Sequence, residues 1–145
     1  MAVIHLKKVA AGISSLSELK DVHRQRAEQL FEQEGRRMSY SYTRTRPVKW
    51  ESLLDGGSIY WVLQKELVAR QELLGFDSWV RWDGKPAWRI NLSAEVVEIV
   101  PKRHNYFQGW RYLKPDDVPD DLLGPDDSPE MPIEMSLELK KLGLL

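Results

Sequence analysis

One stretch of this chain repeats with the period of a helix, and most of the chain beyond it alternates with the period of a strand. Leu16, Leu19, His23, Ala27, Leu30 and Phe31 recur on one helical face, with charged residues between them. Ser15-Leu16-Ser17-Glu18 is a capping box, in which serine and glutamate satisfy each other's free backbone N–H groups, and Gly35 supplies the stop. The spacing predicts an amphipathic helix from Leu16 to Glu34.

After Met38 the period changes. Tyr40, Tyr42, Arg44 and Arg46 share one parity, and Ser39, Ser41, Thr43 and Thr45 share the other, as in a strand. Strands are also predicted over residues 2–9, 58–64, 67–74, 78–82, 87–92, 96–100 and 107–113. Asp83-Gly84-Lys85-Pro86 punctuates a hairpin, and Lys65-Glu66 is expected to form another tight connection. Residues 65–74 also admit a helical reading. Pro47 suits the opening of a short helix over 48–54, which Gly56-Gly57 closes. These strands with two helices make a small α+β domain built on a curved or closed sheet.

A chain of 145 residues, 42% hydrophobic and 30% charged, is the size and composition of one globular domain. Without cysteine there is no disulfide and no thiolate ligand or nucleophile. No apolar run reaches the roughly 18 residues that span a bilayer. Residues 1–9, interrupted by Lys7 and Lys8, do not read as a signal peptide. The expectation is a cytoplasmic protein with no membrane contact.

The net charge of −1 hides a division. Residues 1–114 carry 19 Lys/Arg against 13 Asp/Glu, or +6, and residues 115–145 carry 2 against 9, or −7. Pro-Asp-Asp recurs at 115–117, 119–121 and 125–127, which predicts an acidic extension beyond a domain over 1–114. Ile133 to Leu142 offers a short terminal helix within that extension. A basic body beside an acidic tail is common where a polyanion is bound, and it is also what two differently solvated regions look like.

Catalytic and metal motifs are absent. His5, His23 and His104 have no partner at ligand spacing, and His23 falls on the helix's apolar face as a hydrogen-bonded core residue. There is no Gly-x-Ser-x-Gly elbow, no phosphate-cradling glycine loop and no cofactor motif. What stands out is arginine interleaved with aromatic residues. A guanidinium binds phosphate through two hydrogen bonds, and aromatic rings stack on unpaired bases. Strand aromatics also build cores, so Trp61, Trp79 and Trp88 have a burial reading beside the stacking one.

Residues 53–64, Leu-Leu-Asp-Gly-Gly-Ser-Ile-Tyr-Trp-Val-Leu-Gln, and 107–115, Phe-Gln-Gly-Trp-Arg-Tyr-Leu-Lys-Pro, resemble a family of short alphaproteobacterial proteins catalogued as a domain of unknown function. That resemblance covers residues 2–123 and implies no activity. More loosely, the order of helix, glycine turn and strands is similar to the PUA-like superfamily, which includes the ASCH and EVE domains. This second resemblance implies a small β-barrel with a cleft for RNA, a modified base or a nucleotide. ASCH members carry lysine, glutamate and arginine after the turn glycine, where this chain has Ser58, Ile59 and Tyr60, so their hydrolytic chemistry is not implied.

These readings combine into a module for RNA or a nucleotide. Arg44, Arg46, Lys49 and Arg70 are expected to meet phosphates. Tyr60, Trp61, Trp110 and Tyr112 are expected to stack on bases, and Lys102, Arg103 and Arg111 to extend a basic rim. The alternatives are a small hydrolase using Glu66 or Lys65 in the same cleft, and a protein–protein adaptor docking through the terminal helix.

Overall fold

The computed structural model describes residues 3–105, 107 and 109–122. Among them the elements run β1 (His5–Val9), α1 (Leu16–Glu34), β2 (Met38–Thr43), α2 (Trp50–Leu53), β3 (Ser58–Leu63), β4 (Glu66–Val80), β5 (Pro86–Ser93), β6 (Val97–Arg103) and β7 (Trp110–Leu113).

Helix α1 forms where its periodicity places it. Ser15 Oγ accepts the Glu18 backbone N–H at 3.1 Å, while the Glu18 carboxylate reaches back to Ser14 rather than to Ser15. Gly35, at φ 71°, donates its N–H to the Phe31 carbonyl and ends the helix. Leu19, His23, Ala27 and Leu30 face inward, and His23 meets Ser39 Oγ through Nδ1 at 2.6 Å. Phe31, on the apolar face by spacing, is instead 55% exposed. The helix has already left the core by its last turn.

The described strands form one mixed sheet in the order β2-β5-β4-β3-β1-β7, with β6 also on β4. β1 runs parallel to β3, and the other pairings are antiparallel. β3 is apolar on both parities and buried along its whole length. Ile59, Trp61 and Leu63 enter a core with Leu6, Leu19 and Leu92, whereas Tyr60 and Val62 pack with Leu67, Ile99 and Leu113 on the opposite face. A central strand covered on both faces needs this composition.

β4 is a single strand of 15 residues where two were predicted, because Gly75 sits at a register shift within it rather than in a turn. Further shifts at Trp61/Val62 and Leu67/Ala69 bend the sheet. The β3–β4 turn falls on Gln64 and Lys65, both at positive φ (49° and 65°), one residue earlier than predicted. The expected barrel does not close: β2 and β7 are the two ends of the strand order and do not pair. The architecture is α+β on an open sheet.

Gly56, at φ 89°, and the Gly57 N–H, which donates to the Leu53 carbonyl at 2.9 Å, close α2 as the sequence suggests, and Gly57 is required for a second reason. A Cβ there would lie 2.3 Å from the Leu53 carbonyl oxygen and 2.5 Å from that of Ile4. Downstream of β7, a 3-10 turn at Pro115–Asp117 leads a segment back along β6. Val100 N–H donates to the Asp120 carbonyl and Leu122 N–H to that of Glu98, while Val118 packs beside Tyr60 and Ile99. The third Pro-Asp-Asp copy and the terminal helix expected over 133–142 lie outside the described residues. Among the described residues no helix is long and apolar enough to cross a membrane.

Candidate nucleic-acid interface

The place where the sheet fails to close is also where polar and aromatic groups gather. On β1, Leu6 and Lys8 share a parity that faces the main core, so Lys8 projects inward between the apolar Leu6 and Ala10. Its ammonium donates to the Tyr42 carbonyl at 2.7 Å and to Ser41 Oγ at 3.2 Å, both on β2. Burial pulls the Lys8 ammonium down to about 8, with the nearby Arg26 guanidinium adding to the effect. Arg26 donates to the Tyr40 carbonyl at 2.9 Å. Two carbonyls of strand β2 are thus satisfied by cations, which discourages pairing of that edge with another strand.

β7 supplies the opposite wall. In register, Trp110 lies opposite Lys8 and Tyr112 opposite Leu6, so both rings occupy the Lys8 face. They meet edge to face at 5.0 Å between centroids. Tyr112 is fixed further by its hydroxyl, which accepts the Lys49 backbone N–H at 3.0 Å, and by the Lys49 ammonium 5.4 Å from its ring. Between the walls lies a cleft of about 910 Å³, bounded by Lys8, Tyr42, Thr43, Arg44, Trp110 and Tyr112 among others, and among the described residues none that lines it carries a carboxylate.

The structure divides the predicted site residues into four groups. Arg44, Trp110 and Tyr112 line the cleft, and Lys49 packs on its wall. Arg46 lies between the Trp50 and Trp88 rings at 4.5 and 4.6 Å, leaving the edges of its guanidinium as the part not covered by rings.

Tyr60 and Trp61 are the clearest correction. They are 4% and 3% exposed, with Tyr60 against the His5 ring and Trp61 Nε1 donating to Gln71 Oε1 at 2.9 Å. No base can stack on a ring already packed in the core. Arg70 is corrected too: its fork grips Asp121 at 2.7 and 2.8 Å and reaches Ser58 Oγ at 3.1 Å, so its donors are engaged within the protein.

Lys102, Arg103 and Arg111 do not join the cleft as one rim. Arg111 borders the cleft by its position on β7, but strand alternation sends its side chain toward the face of Lys7, away from the Trp110 and Tyr112 rings. Lys102 donates to the Asp117 carbonyl at 2.9 Å, and Arg103 is exposed at the end of β6. Lys7 is lowered by burial, raised by Asp117 and lowered again by Lys102 and Arg111, and its Nζ lies 2.6 Å from His104 Nε2. This is a second basic patch on the other side of the sheet. Glu66 and Lys65, the hydrolase candidates, sit at the start of β4 and in the turn before it, and do not line the cleft.

Sequence reasoning missed Lys8, Trp79 and Trp82. For Lys8 a signal existed, since a lysine on the parity of Leu6 and Ala10 places a charge at a core-facing position. For the two tryptophans the sequence could not separate burial from exposure.

A family model described as "Protein of unknown function (DUF1489)" matches residues 6–145. No curated protein and no solved structure matches the chain.

Proposed function

The chain belongs to that family, whose description assigns no activity, and from the geometry of its cleft we propose that it is a binding module for single-stranded RNA or a nucleotide. One observation carries the reading: the open seam between β2 and β7 brings aromatic rings together with the Lys8 and Arg44 cations in a space that no carboxylate of the described residues lines. Its volume of about 910 Å³ falls within the roughly 300–1,000 Å³ usual for ligand pockets. Lys8 and Arg44 offer charge to phosphate, and Trp110, Tyr112 and Tyr42 offer faces or edges to bases. A PUA-like placement belongs with the same proposal, as an open relative of a small RNA-binding barrel. Binding is favoured over hydrolysis because the carboxylate proposed as a base, Glu66, is not in the lining.

The test is a titration of fluorescently labelled single-stranded RNA across a range of salt concentrations. Saturable binding that weakens with salt and quenches tryptophan emission is the expected result. Trp110→Ala should weaken it by a factor of about 5 or more, since base stacking contributes about 1–3 kcal/mol. No binding at low salt overturns the proposal.

A further inference from the structure

We propose that the ligand is a strand rather than a mononucleotide, because a second stacking station adjoins the cleft at the tip of the β4–β5 hairpin. This inference rests on the nucleic-acid reading above and extends it to Trp79 and Trp82, which that reading does not use. A second cavity, of about 390 Å³, is lined by Trp79, Trp82, Arg81 and Ala87 together with Tyr42, Thr43 and Arg44. The last three residues line the larger cleft as well, so the two spaces meet around the end of β2.

The station is built, and not merely exposed. Tyr42 on β2 and Trp79 on β4 reach toward each other across β5, with ring centroids 5.6 Å apart and planes 38° from parallel. Each remains a little over 40% exposed. The guanidinium of Arg89 backs Trp79 at 5.5 Å, and that arginine is itself buried, held by Glu34 at 2.8 Å and Asp77 at 3.2 Å. Trp82, 94% exposed, stands beside them at the turn. Holding three large rings in water is unfavourable unless something covers them.

The charge pattern selects the occupant. An apolar protein surface would suit the rings alone. Arg44, however, lies exposed at the junction, no carboxylate of the described residues pairs with it, and neither cavity is lined by one. Rings on both sides of a free guanidinium match a chain that alternates bases with phosphates. A mononucleotide occupying the larger cleft would leave Trp79 and Trp82 uncovered.

The experiment compares uridine monophosphate with a single-stranded RNA of roughly ten nucleotides, using the full chain and its Trp82→Ala, Trp79→Ala and Trp110→Ala variants. Trp82 is at the surface, so its loss leaves folding intact. Trp82→Ala should weaken the oligonucleotide roughly 5- to 100-fold and leave the monophosphate unchanged, whereas Trp110→Ala weakens both. If Trp82→Ala and Trp79→Ala both keep oligonucleotide affinity within about twofold while Trp110→Ala still lowers it, the second station is wrong and the cleft stands. If the unaltered chain binds neither ligand, the parent reading fails as well. If Trp82→Ala abolishes self-association in sedimentation without altering RNA affinity, the hairpin tip is a protein contact and the inference is overturned.

Discussion

Lys8 on β1 donates its ammonium to the backbone carbonyl of Tyr42 on β2 at 2.7 Å, joining two strands that lie near opposite ends of the sheet order and do not pair. Where a closed barrel would have a ladder of backbone hydrogen bonds, this sheet has a side-chain strap at the floor of a cleft. The strap is also one of the cleft's cations, so the group that holds the seam at its present width also sets its charge.

Lys8 should therefore make RNA affinity depend on pH. Its folded-state value of about 8 means that it loses its proton as pH rises through that point. Affinity should fall between about pH 7 and pH 9, and Lys8→Gln should lower affinity at pH 7 and flatten the profile. Binding isotherms of both proteins across that interval check this, and parallel profiles would remove Lys8 from the site.

His23 should make folding stability depend on pH in a lower window. Burial, and then the Arg26 charge, lower it from 6.5 to about 4. The unfolded chain thus binds the extra proton first. The contribution is complete above about pH 6.5 and is lost as pH falls to about 4, amounting to at most about 3 kcal/mol. Urea midpoints should decline over that range, and His23→Gln should flatten the decline.

Arg70→Lys should affect stability and spare binding. The arginine fork meets both oxygens of Asp121, and an ammonium cannot reproduce that geometry. With side chains 27% and 22% exposed, the pair is partly screened, so a loss of about 1–2 kcal/mol is expected. The hydrogen bond from Arg70 holds the Asp121 carboxyl below its usual range, so this contribution should persist above about pH 4 and fade in stronger acid. Denaturation with a parallel RNA titration separates the two effects, and a large loss of affinity would return Arg70 to the phosphate contacts.

Gly57→Ala should prevent or severely weaken folding. The added methyl meets two backbone oxygens inside contact distance, and neither can move without shifting α2 or the residues leading into β1. A cost of about 3 kcal/mol or more is expected, at or beyond the upper end for overpacking. Soluble yield and thermal midpoint measure it, and a near-native midpoint would show that the backbone there can relax.

Features that depend on neighbours in the chain are legible in the residues alone. Ser15, Glu18 and Gly35 bound α1 because capping is settled within a few residues, and the Asp83–Pro86 turn marks its hairpin for the same reason. Alternation alone also separates Trp110 and Tyr112 from Arg111. Which faces meet is settled only in three dimensions. Tyr60 and Trp61 look like platforms in the sequence, but β3 lies between β4 and β1 with a core on each face, so both rings are consumed by packing. Arg70 looks free until residue 121, far along the chain, folds back onto it. Trp79 has a core reading in the sequence and yet remains at the surface, as does Trp82 beside it, because the hairpin extends past the layer that covers the rest of β4. The cause is common to all of these. Local periodicity assigns a side chain to a face, but only long-range pairing decides whether protein or solvent covers that face.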